Sequence, residues 1–432
     1  MKKSAYIILF TFLACWSFGQ IKLEKYTFGN GLTFKGESGY KITLNGYVQP
    51  SFEMKQAQDG DETFNRFRMR RARLRLSGSS KDSKFSYRLQ LDLSGSNEGD
   101  SDENSNNILL DAFVNYKVTN NVSLSFGQKS TPTDNLELGL NSQTLQLPER
   151  SRVTSAFSSI REFGLFADGS FKINGTDMVI RPSVAITNGD GMNVFGKDYG
   201  GFKYGGRINF LPFGTFRSGG QFREVDMSRE LTPKLLLGFV YSYNNGISDR
   251  RGRTSGDILY LNDQDEVVLP DYEKIGAQFL FKYKGFSMLG EFVKANAYVK
   301  DEITQRVRND GTSTTNFEID GEQNVNNYIK NRLMLGKGFN IQAGYLFQNL
   351  WSVDARYTNM SADRYSFLNN GAFYDRPNYY EIGVSKYLSR SYAAKIQASV
   401  TYVDADDDAR DNNNNFVGGH EWIGRLILTV GF

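Results

Sequence analysis

Apolar and polar residues alternate at every second position over much of this chain. The clearest case is residues 85–93, where every odd-numbered residue is Phe, Tyr or Leu and the even-numbered ones are Ser, Arg, Gln and Asp. Successive side chains of a β-strand point to opposite faces, so a period of two predicts a strand with one apolar and one polar face. A soluble sandwich does not need such a polar face, whereas the wall of a water-filled membrane barrel does.

The same alternation predicts about sixteen strands between residue 40 and the C-terminal stretch Trp422–Phe432. The connections between these strands alternate in length. The long, polar connections are 54–65, 94–107, 129–160, 189–202, 245–271, 300–327, 358–377 and 404–420. The short connections are 79–84, 118–121, 172–176, 284–285, 348–350 and 389–391. We therefore expect an all-β fold, a transmembrane antiparallel β-barrel of about 16 strands with short periplasmic turns and long extracellular loops.

One connection departs from the alternation. Residues 213–233 should form a short turn, but they are too many for one. They form either a structured periplasmic excursion or a pair of strands that the hydrophobic pattern does not reveal.

The first residues resemble a secretory signal peptide. Two lysines precede an apolar run, and small residues follow it. The run is too short for a helical membrane anchor, and the residues before Cys15, the only cysteine, fit a lipoprotein signal poorly. We expect a bacterial outer-membrane protein with a signal peptide over 1–19, a short periplasmic segment over 20–39 and a single barrel over 40–432.

Six arginines lie within residues 66–75. The apolar residues between them are odd-numbered at Phe67 and Met69 but even-numbered from Ala72 onward, so the phase slips and predicts a β-bulge between Arg70 and Arg71. An arginine that faces lipid near the midplane costs about 2–4 kcal/mol, which favours the lumen-facing orientation. The predicted inward ladder comprises Arg66, Arg68, Arg71, Arg73 and Arg75.

A ladder of guanidinium groups can pass an anion from one bidentate site to the next. The alternative is that the arginines pair with inward carboxylates such as Asp92, Asp111 or Glu291 and only fix the tilt of the strands. Two further arginines, Arg88 and Arg425, lie on the polar faces of predicted strands and should line the same lumen.

The connection 129–160 combines basic and apolar residues. It carries Lys129, Arg150 and Arg152, with Arg161 just beyond it. Its leucines are Leu136, Leu138, Leu140, Leu145 and Leu147. A loop of this length is usually functional or disordered, and the leucines favour order. It either packs against the inner wall as a constriction or forms an extracellular flap.

These segments resemble the phosphate-selective porin O and P family. The matching segments are Arg66–Gly78, Leu110–Tyr116, Gly127–Lys129 with Pro132, Glu149–Ser151 and Arg161–Gly169. The resemblance implies a sixteen-stranded trimeric porin with an inward-folded third loop and an arginine ladder that leads to a lysine-bearing constriction. It makes Arg71, Arg73 and Arg75 the rungs, Lys129 a constriction residue, and the terminal Phe432 a tag for the barrel assembly machinery. The signal peptide and the Asn-rich loops resemble those of Bacteroidetes proteins.

The outer loops are acidic, which departs from the family pattern. The acidic runs are Glu98, Asp100, Asp102 and Glu103, and then Asp404, Asp406, Asp407, Asp408 and Asp411. Divalent ions that bridge lipopolysaccharide could bind there, but without EF-hand spacing we interpret both as solvated charge runs. The only histidine, His420, has no partner motif for catalysis. We expect no metal site, no cofactor and no nucleic-acid partner.

Three functional hypotheses remain from the sequence. The first is an outer-membrane porin for passive diffusion of small solutes, in particular anions such as phosphate. The second is a structural or partner-binding barrel whose lumen is plugged by loops. The third is a barrel hydrolase that uses His420. The partners of the first are outer-membrane lipid and lipopolysaccharide, small anions and two further copies of the chain.

Overall fold

A computed structural model describes residues 21–57, 64–94, 108–193, 199–250, 259–369, 376–407, 409 and 419–432. Residues 1–19, predicted as a signal peptide, and the acidic run from Glu98 to Glu103 lie outside this part of the chain. The first strands are β1 (Ile21–Thr27), β2 (Gly31–Gly36), β3 (Lys41–Ala57), β4 (Phe64–Ser79), β5 (Phe85–Asp92), β6 (Leu109–Lys117), β7 (Val122–Ser130), β8 (Arg161–Gly169) and β9 (Val179–Thr187). The others are β10 (Lys203–Leu211), β11 (Lys234–Asn244), β12 (Asp271–Tyr283), β13 (Phe286–Tyr298), β14 (Gly336–Leu346), β15 (Trp351–Ala362), β16 (Asn378–Tyr387), β17 (Ala394–Asp404) and β18 (His420–Gly431).

Strands β3 to β18 form a closed antiparallel barrel of 16 strands, which confirms the predicted fold. Each strand pairs with its sequence neighbour, and β18 returns to pair with β3. At the end of this seam the amide of Phe432 donates to the carbonyl of Gly46 at 3.0 Å, and the Gly46 amide donates back at 3.1 Å. Closure leaves no unpaired strand edge in the wall.

The outer surface of the wall is apolar, as the alternation predicts. Phe67 is 85% exposed and Ile382 67% exposed, whereas Gln90 on the polar face of β5 is 2% exposed. At the long-loop end, aromatic side chains stack from strand to strand across β15 to β18. The ring centroids of Tyr380 and Tyr402 lie 6.2 Å apart, and those of Tyr402 and Trp422 lie 5.0 Å apart. Such aromatic belts mark the lipid–water boundary of membrane barrels.

The connections alternate long and short around the barrel except at the first one, 58–63, and at residues 212–233, which form a long connection at the short-turn end. The first long connection is shorter than predicted, because β3 extends to Ala57 and β4 begins at Phe64. At the short-turn end, β1 and β2 form a hairpin that pairs with the start of β3. The described residues include three short α-helices, α1 (Leu136–Gly139), α2 (Arg152–Phe157) and α3 (Val325–Lys330). None of the helices in the described ranges is long and apolar enough to cross a membrane.

Short elements complete the fold. The 3-10 helices are Ser142–Thr144, Arg217–Phe222 and Phe367–Asn369. The two-residue strand Phe171–Lys172 extends the β8 hairpin. The outer loops hold short strands at Tyr260–Leu261, Gln305–Val307, Ser313–Thr314, Glu318–Ile319 and Glu322–Gln323. These outer loops pack with α2 around an apolar cluster that includes Phe157, Tyr260 and Phe317.

Residues 212–233, hereafter the plug segment, form the structured excursion rather than a missed pair of strands. The segment folds into the short-turn end of the barrel. The Lys282 ammonium on β12, 1% exposed, donates to the carbonyls of Gly220, Arg223 and Val225 at 2.8, 2.8 and 3.0 Å. The Tyr392 hydroxyl donates to the Val225 carbonyl at 2.8 Å. One buried lysine therefore donates hydrogen bonds to three backbone carbonyls of the plug segment.

We expect Lys282→Met to loosen the plug segment and destabilise the barrel. The change removes three hydrogen bonds: the carbonyls of Gly220 and Val225 keep the Arg223 amide and the Tyr392 hydroxyl as donors, whereas the Arg223 carbonyl loses its donor, at about 1–3 kcal/mol for an acceptor that finds no other partner. The measurement is the temperature at which the compact form, resolved by gel electrophoresis in SDS, converts to the unfolded form. This temperature should fall by several degrees in Lys282→Met and stay constant in Lys284→Met, whose side chain is exposed in the adjacent turn. Equal transition temperatures for the two variants would contradict the role of Lys282.

Candidate anion pathway in the lumen

Strand β4 contains the predicted bulge. Gln49 of β3 pairs with Arg71 while the next residue, Pro50, pairs with Met69, so Arg70 is the extra residue. Proline has no amide hydrogen to donate, which suits it to the irregular position. The bulge lets two consecutive arginines, Arg70 and Arg71, both point into the lumen. The sequence predicted the bulge but not the inward position of Arg70.

The ladder begins near the long-loop end, around the carboxylate of Glu53. Arg66 lies 2.6 Å from it, Arg425 of the closing strand 2.8 Å and Arg68 3.7 Å. Arg425 therefore faces the same lumen as the ladder, as expected. Three guanidinium groups share one carboxylate here, so positive charge exceeds negative charge.

The ladder continues toward the short-turn end. Arg73 donates to Asp92 at 3.1 Å and to the Ser142 hydroxyl at 2.9 Å, and Arg75 donates to the Gln90 side chain at 2.8 Å.

Neighbouring strands contribute two more arginines. Asp111 lies 2.7 Å from Arg161 and 4.0 Å from Arg88. Asp92 and Asp111 thus pair with arginines as the alternative interpretation proposed. Glu291 does not, because it accepts the Glu137 amide at 2.7 Å and the Asn135 side chain at 2.8 Å.

Residues 131–160, hereafter the lumen loop, fold inside the barrel and not over its mouth. All five leucines that the sequence singled out are buried, with exposures between 1% and 6%. The Lys395 ammonium on β17 donates to the Leu145 carbonyl at 2.7 Å, and Gln397 donates to the Gln146 carbonyl at 2.8 Å. The lumen loop therefore reaches the wall at β17, three strands around the closed barrel from the ladder strand β4.

The lumen loop binds the ladder through Glu149. The Glu149 carboxylate contacts Arg70, lies 3.0 Å from Arg71 and 4.0 Å from Arg68. Burial alone would raise the pKa of Glu149, but the attraction of the Arg70 and Arg71 charges outweighs it and holds the pKa well below its usual range. Glu149 is thus ionised at neutral pH and anchors the loop at the bulge.

Arg150 and Arg152 follow on the lumen loop. Arg150 donates to the Leu140 carbonyl at 3.0 Å, and the Arg152 guanidinium lies 6.0 Å from the centre of the Tyr379 ring. Lys129, assigned to this connection from the sequence, lies in β7 instead, because the strand continues to Ser130. Its ammonium is 3.1 Å from Asp168 and lies against the rings of Phe113 and Phe166. Its assignment to the connection was therefore wrong, whereas its role at a constriction stays a prediction.

The lumen loop divides the open space into chambers. The outer chamber, about 460 Å³, lies on the Glu149 side and is lined by Arg66, Arg68, Arg70 and Arg425 among others. The inner chamber, about 530 Å³, is lined by the second half of the ladder. Arg150 lines both chambers, so its side chain lies between them.

A third space, the exit chamber of about 440 Å³, reaches the short-turn end. It shares Arg73, Arg75 and Arg88 with the inner chamber and is also lined by Asn30 of the N-terminal hairpin. The ladder thus runs through all three chambers.

Several basic residues of the chambers were missed from the sequence. They are Lys55, Arg70, Arg181, Arg207, Arg223, Arg356 and Arg376. Arg181 and Arg207 lie on the wall strands β9 and β10, where a search of every predicted polar face would have found them. Arg376 lies in a long connection, where no periodicity applies.

The described residues do not form a catalytic group around His420 or a metal site. His420 is the first residue of β18, and its ring lies 5.5 Å from that of Tyr402. No group of three His, Cys, Asp or Glu side chains in the described ranges is placed to hold a metal ion. Asp404 accepts the Asn378 side chain at 3.2 Å, whereas Asp408 and Asp411 lie outside the described residues.

Comparisons with known proteins agree with this architecture. A search of curated proteins finds no match. Among solved structures, an anion-selective porin from Comamonas acidovorans is 10% identical over 91% of this chain and 100% of its own, with a TM-score of 0.53. OprB from Pseudomonas putida is 10% identical over 92% of this chain and 95% of its own, with a TM-score of 0.50. At this identity the structures share the fold alone.

The family comparison extends over almost the entire barrel. The model of the family described as phosphate-selective porin O and P matches residues 42–428. The chain therefore belongs to this porin family, and it forms a channel for small solutes in the bacterial outer membrane.

Proposed function

We propose that the channel passes small anions, phosphate among them. The observation that carries this proposal is the surplus of basic side chains in all three chambers. Of the described residues, the inner chamber is lined by eight basic side chains and two carboxylates. The basic ones are Arg73, Arg75, Arg88, Lys129, Arg150, Arg161, Arg181 and Arg207, and the carboxylates are Asp111 and Asp168.

The outer and exit chambers also carry more basic than acidic side chains. Nine basic residues and four glutamates line the outer chamber, and four arginines line the exit chamber, counted over the described residues. In a narrow, partly dry channel this surplus attracts anions and repels cations.

The arrangement along β4 suits transport more than tight binding. Guanidinium groups bind phosphate and carboxylate oxygens in a bidentate manner. Most rungs already donate to a carboxylate or an amide oxygen, so an anion exchanges partners with Glu53, Gln90 or Glu149 as it moves. It gains contacts in each chamber without a fully desolvated site that would hold it.

The rungs of the inner and exit chambers provide the first test. A guanidinium group about 6 Å from an ion in water contributes about 0.7 kcal/mol, so the loss of two charges is worth about tenfold. Because the same loss that disfavours chloride by about tenfold favours potassium by about tenfold, we expect Arg75→Gln/Arg88→Gln to lower the chloride-to-potassium permeability ratio by up to about a hundredfold at low salt. The ratio follows from the reversal potential in planar bilayers with a KCl gradient.

The matched control for this test is Arg308→Gln/Arg332→Gln, which removes two arginine charges from the outer loops. The control should keep the wild-type ratio. A wild-type reversal potential that favours potassium would contradict the anion proposal. Absence of conductance would favour a barrel plugged by its loops instead.

Replacement of Glu149 tests the proposal by removing a negative charge from the pathway instead of a positive one. Glu149→Gln preserves the shape of the side chain but removes the negative charge between Arg70 and Arg71, so anion preference should rise. Stability should fall at the same time, because Arg71 is 1% exposed and loss of a buried partner costs about 3–5 kcal/mol. Reversal potentials and the unfolding temperature measure the two effects.

The outer-loop variant Asp310→Asn is the matched control for Glu149→Gln, since it removes an exposed carboxylate. It should change neither quantity. An unchanged reversal potential in Glu149→Gln would mean that ions do not pass close to this carboxylate.

The homotrimer that the family resemblance implies stays part of the proposal, with the anion pathway repeated in each copy. Chemical cross-linking of the detergent-purified barrel should give a product of three times the monomer mass, and light scattering should give the same protein mass. A monomeric mass by both methods would contradict the trimer. The signal peptide over 1–19, the lipopolysaccharide contacts and recognition of the last strand by the assembly machinery also stay predictions.

A further inference from the structure

The plug segment places an aromatic ring inside the lumen. Phe222 is 51% exposed and lines both the inner and the exit chamber. The leucines of the lumen loop that line the inner chamber are buried, between 3% and 6% exposed. Phe222 therefore presents an accessible apolar surface within an otherwise basic passage.

One arginine contacts this ring, and others line the same chambers. The Arg181 guanidinium of β9 lies 4.7 Å from the ring centre of Phe222, a cation–π contact. Arg75 and Arg88 line the same two chambers from strands β4 and β5. The space thus combines a flat apolar surface with guanidinium groups that can bind an anionic group.

The backbone around the ring is fixed. Lys282 binds the carbonyls of Gly220 and Arg223 on either side of Phe222, and the Arg223 amide donates to the Gly220 carbonyl at 3.2 Å. The Arg223 side chain lies 5.3 Å from the ring centre of Tyr392, which itself binds the plug segment. A ring held in this way loses little freedom when a second planar group packs on it.

We propose that Phe222, together with Arg181, Arg75 and Arg88, forms a subsite for organic anions that carry a planar apolar group, such as aromatic phosphates or carboxylates. This inference rests on the proposed anion pathway and names the class of solute that the inner part of the pathway favours. The planar group packs on the exposed part of the Phe222 ring, and the guanidinium groups bind the phosphate or carboxylate. The subsite retards such anions, so they reduce the current carried by chloride.

Phenyl phosphate and methyl phosphate test the subsite, since they carry the same charged group and differ in the ring. Each is added to planar bilayers that contain the wild-type channel, and the concentration that halves the chloride current is measured. We expect phenyl phosphate to act at an about fivefold lower concentration than methyl phosphate, the size of one aromatic contact.

Variants of Phe222 separate packing from simple narrowing of the passage. In Phe222→Ala the half-blocking concentration of phenyl phosphate should rise to that of methyl phosphate, while the value for methyl phosphate stays constant. Phe222→Tyr, which retains the ring, should keep the wild-type preference. Equal block by both phosphates in the wild type, or an equal change of both in Phe222→Ala, would overturn the subsite.

The reversal potential of the same bilayers distinguishes the two possible failures. An anion-selective channel without preference for phenyl phosphate overturns the subsite and leaves the proposed function standing. A channel that favours potassium or conducts nothing overturns the proposed function and the subsite with it.

Discussion

The contact between Glu149 and the paired arginines at the bulge connects the lumen loop to the wall. Arg71 is almost fully buried, and a guanidinium in that position is tolerated only with an anionic partner. Glu149 supplies that partner from the loop, and the bulge brings Arg70 to the same carboxylate. This cluster of charges fixes the loop on the side of the ladder, and the hydrogen bonds from Lys395 and Gln397 fix it at β17, so that the loop divides the lumen into chambers.

The lumen loop and the plug segment together fill one side of the barrel. Leu136 and Leu140 of the loop pack with Phe216 of the plug segment and with inward leucines of the wall, including Leu236. The Glu224 carboxylate also links the two segments, because it accepts the Gln146 amide at 2.7 Å and the Gln342 side chain at 2.9 Å. The barrel therefore contains an apolar core of its own, and Leu136, Leu140 and Leu236 of this core face the arginine ladder across the inner chamber.

The sequence predicted the features that depend on local pattern. The alternation of apolar and polar residues predicted the barrel, and the lengths of the connections distinguished its two ends. The change of phase between Phe67 and Ala72 predicted the bulge. The features it missed depend on contacts between distant segments. Inward Arg70 follows from Glu149, 79 residues away, and the path of the plug segment follows from Lys282. Lys129 was misplaced because a strand end and a loop start look alike when both contain polar residues.

The carboxylates that partly neutralise the arginine ladder determine how strongly an anion binds to it. A run of bare guanidinium groups at strand spacing would repel one another and would destabilise the wall. Glu53, Asp92 and Glu149 relieve this repulsion, yet Glu53 and Glu149 are each shared by three arginines, so positive charge remains along the passage. An anion that replaces one of these contacts gains only the difference between two similar interactions. Entry is then favourable and release stays fast, which is the balance that conduction requires.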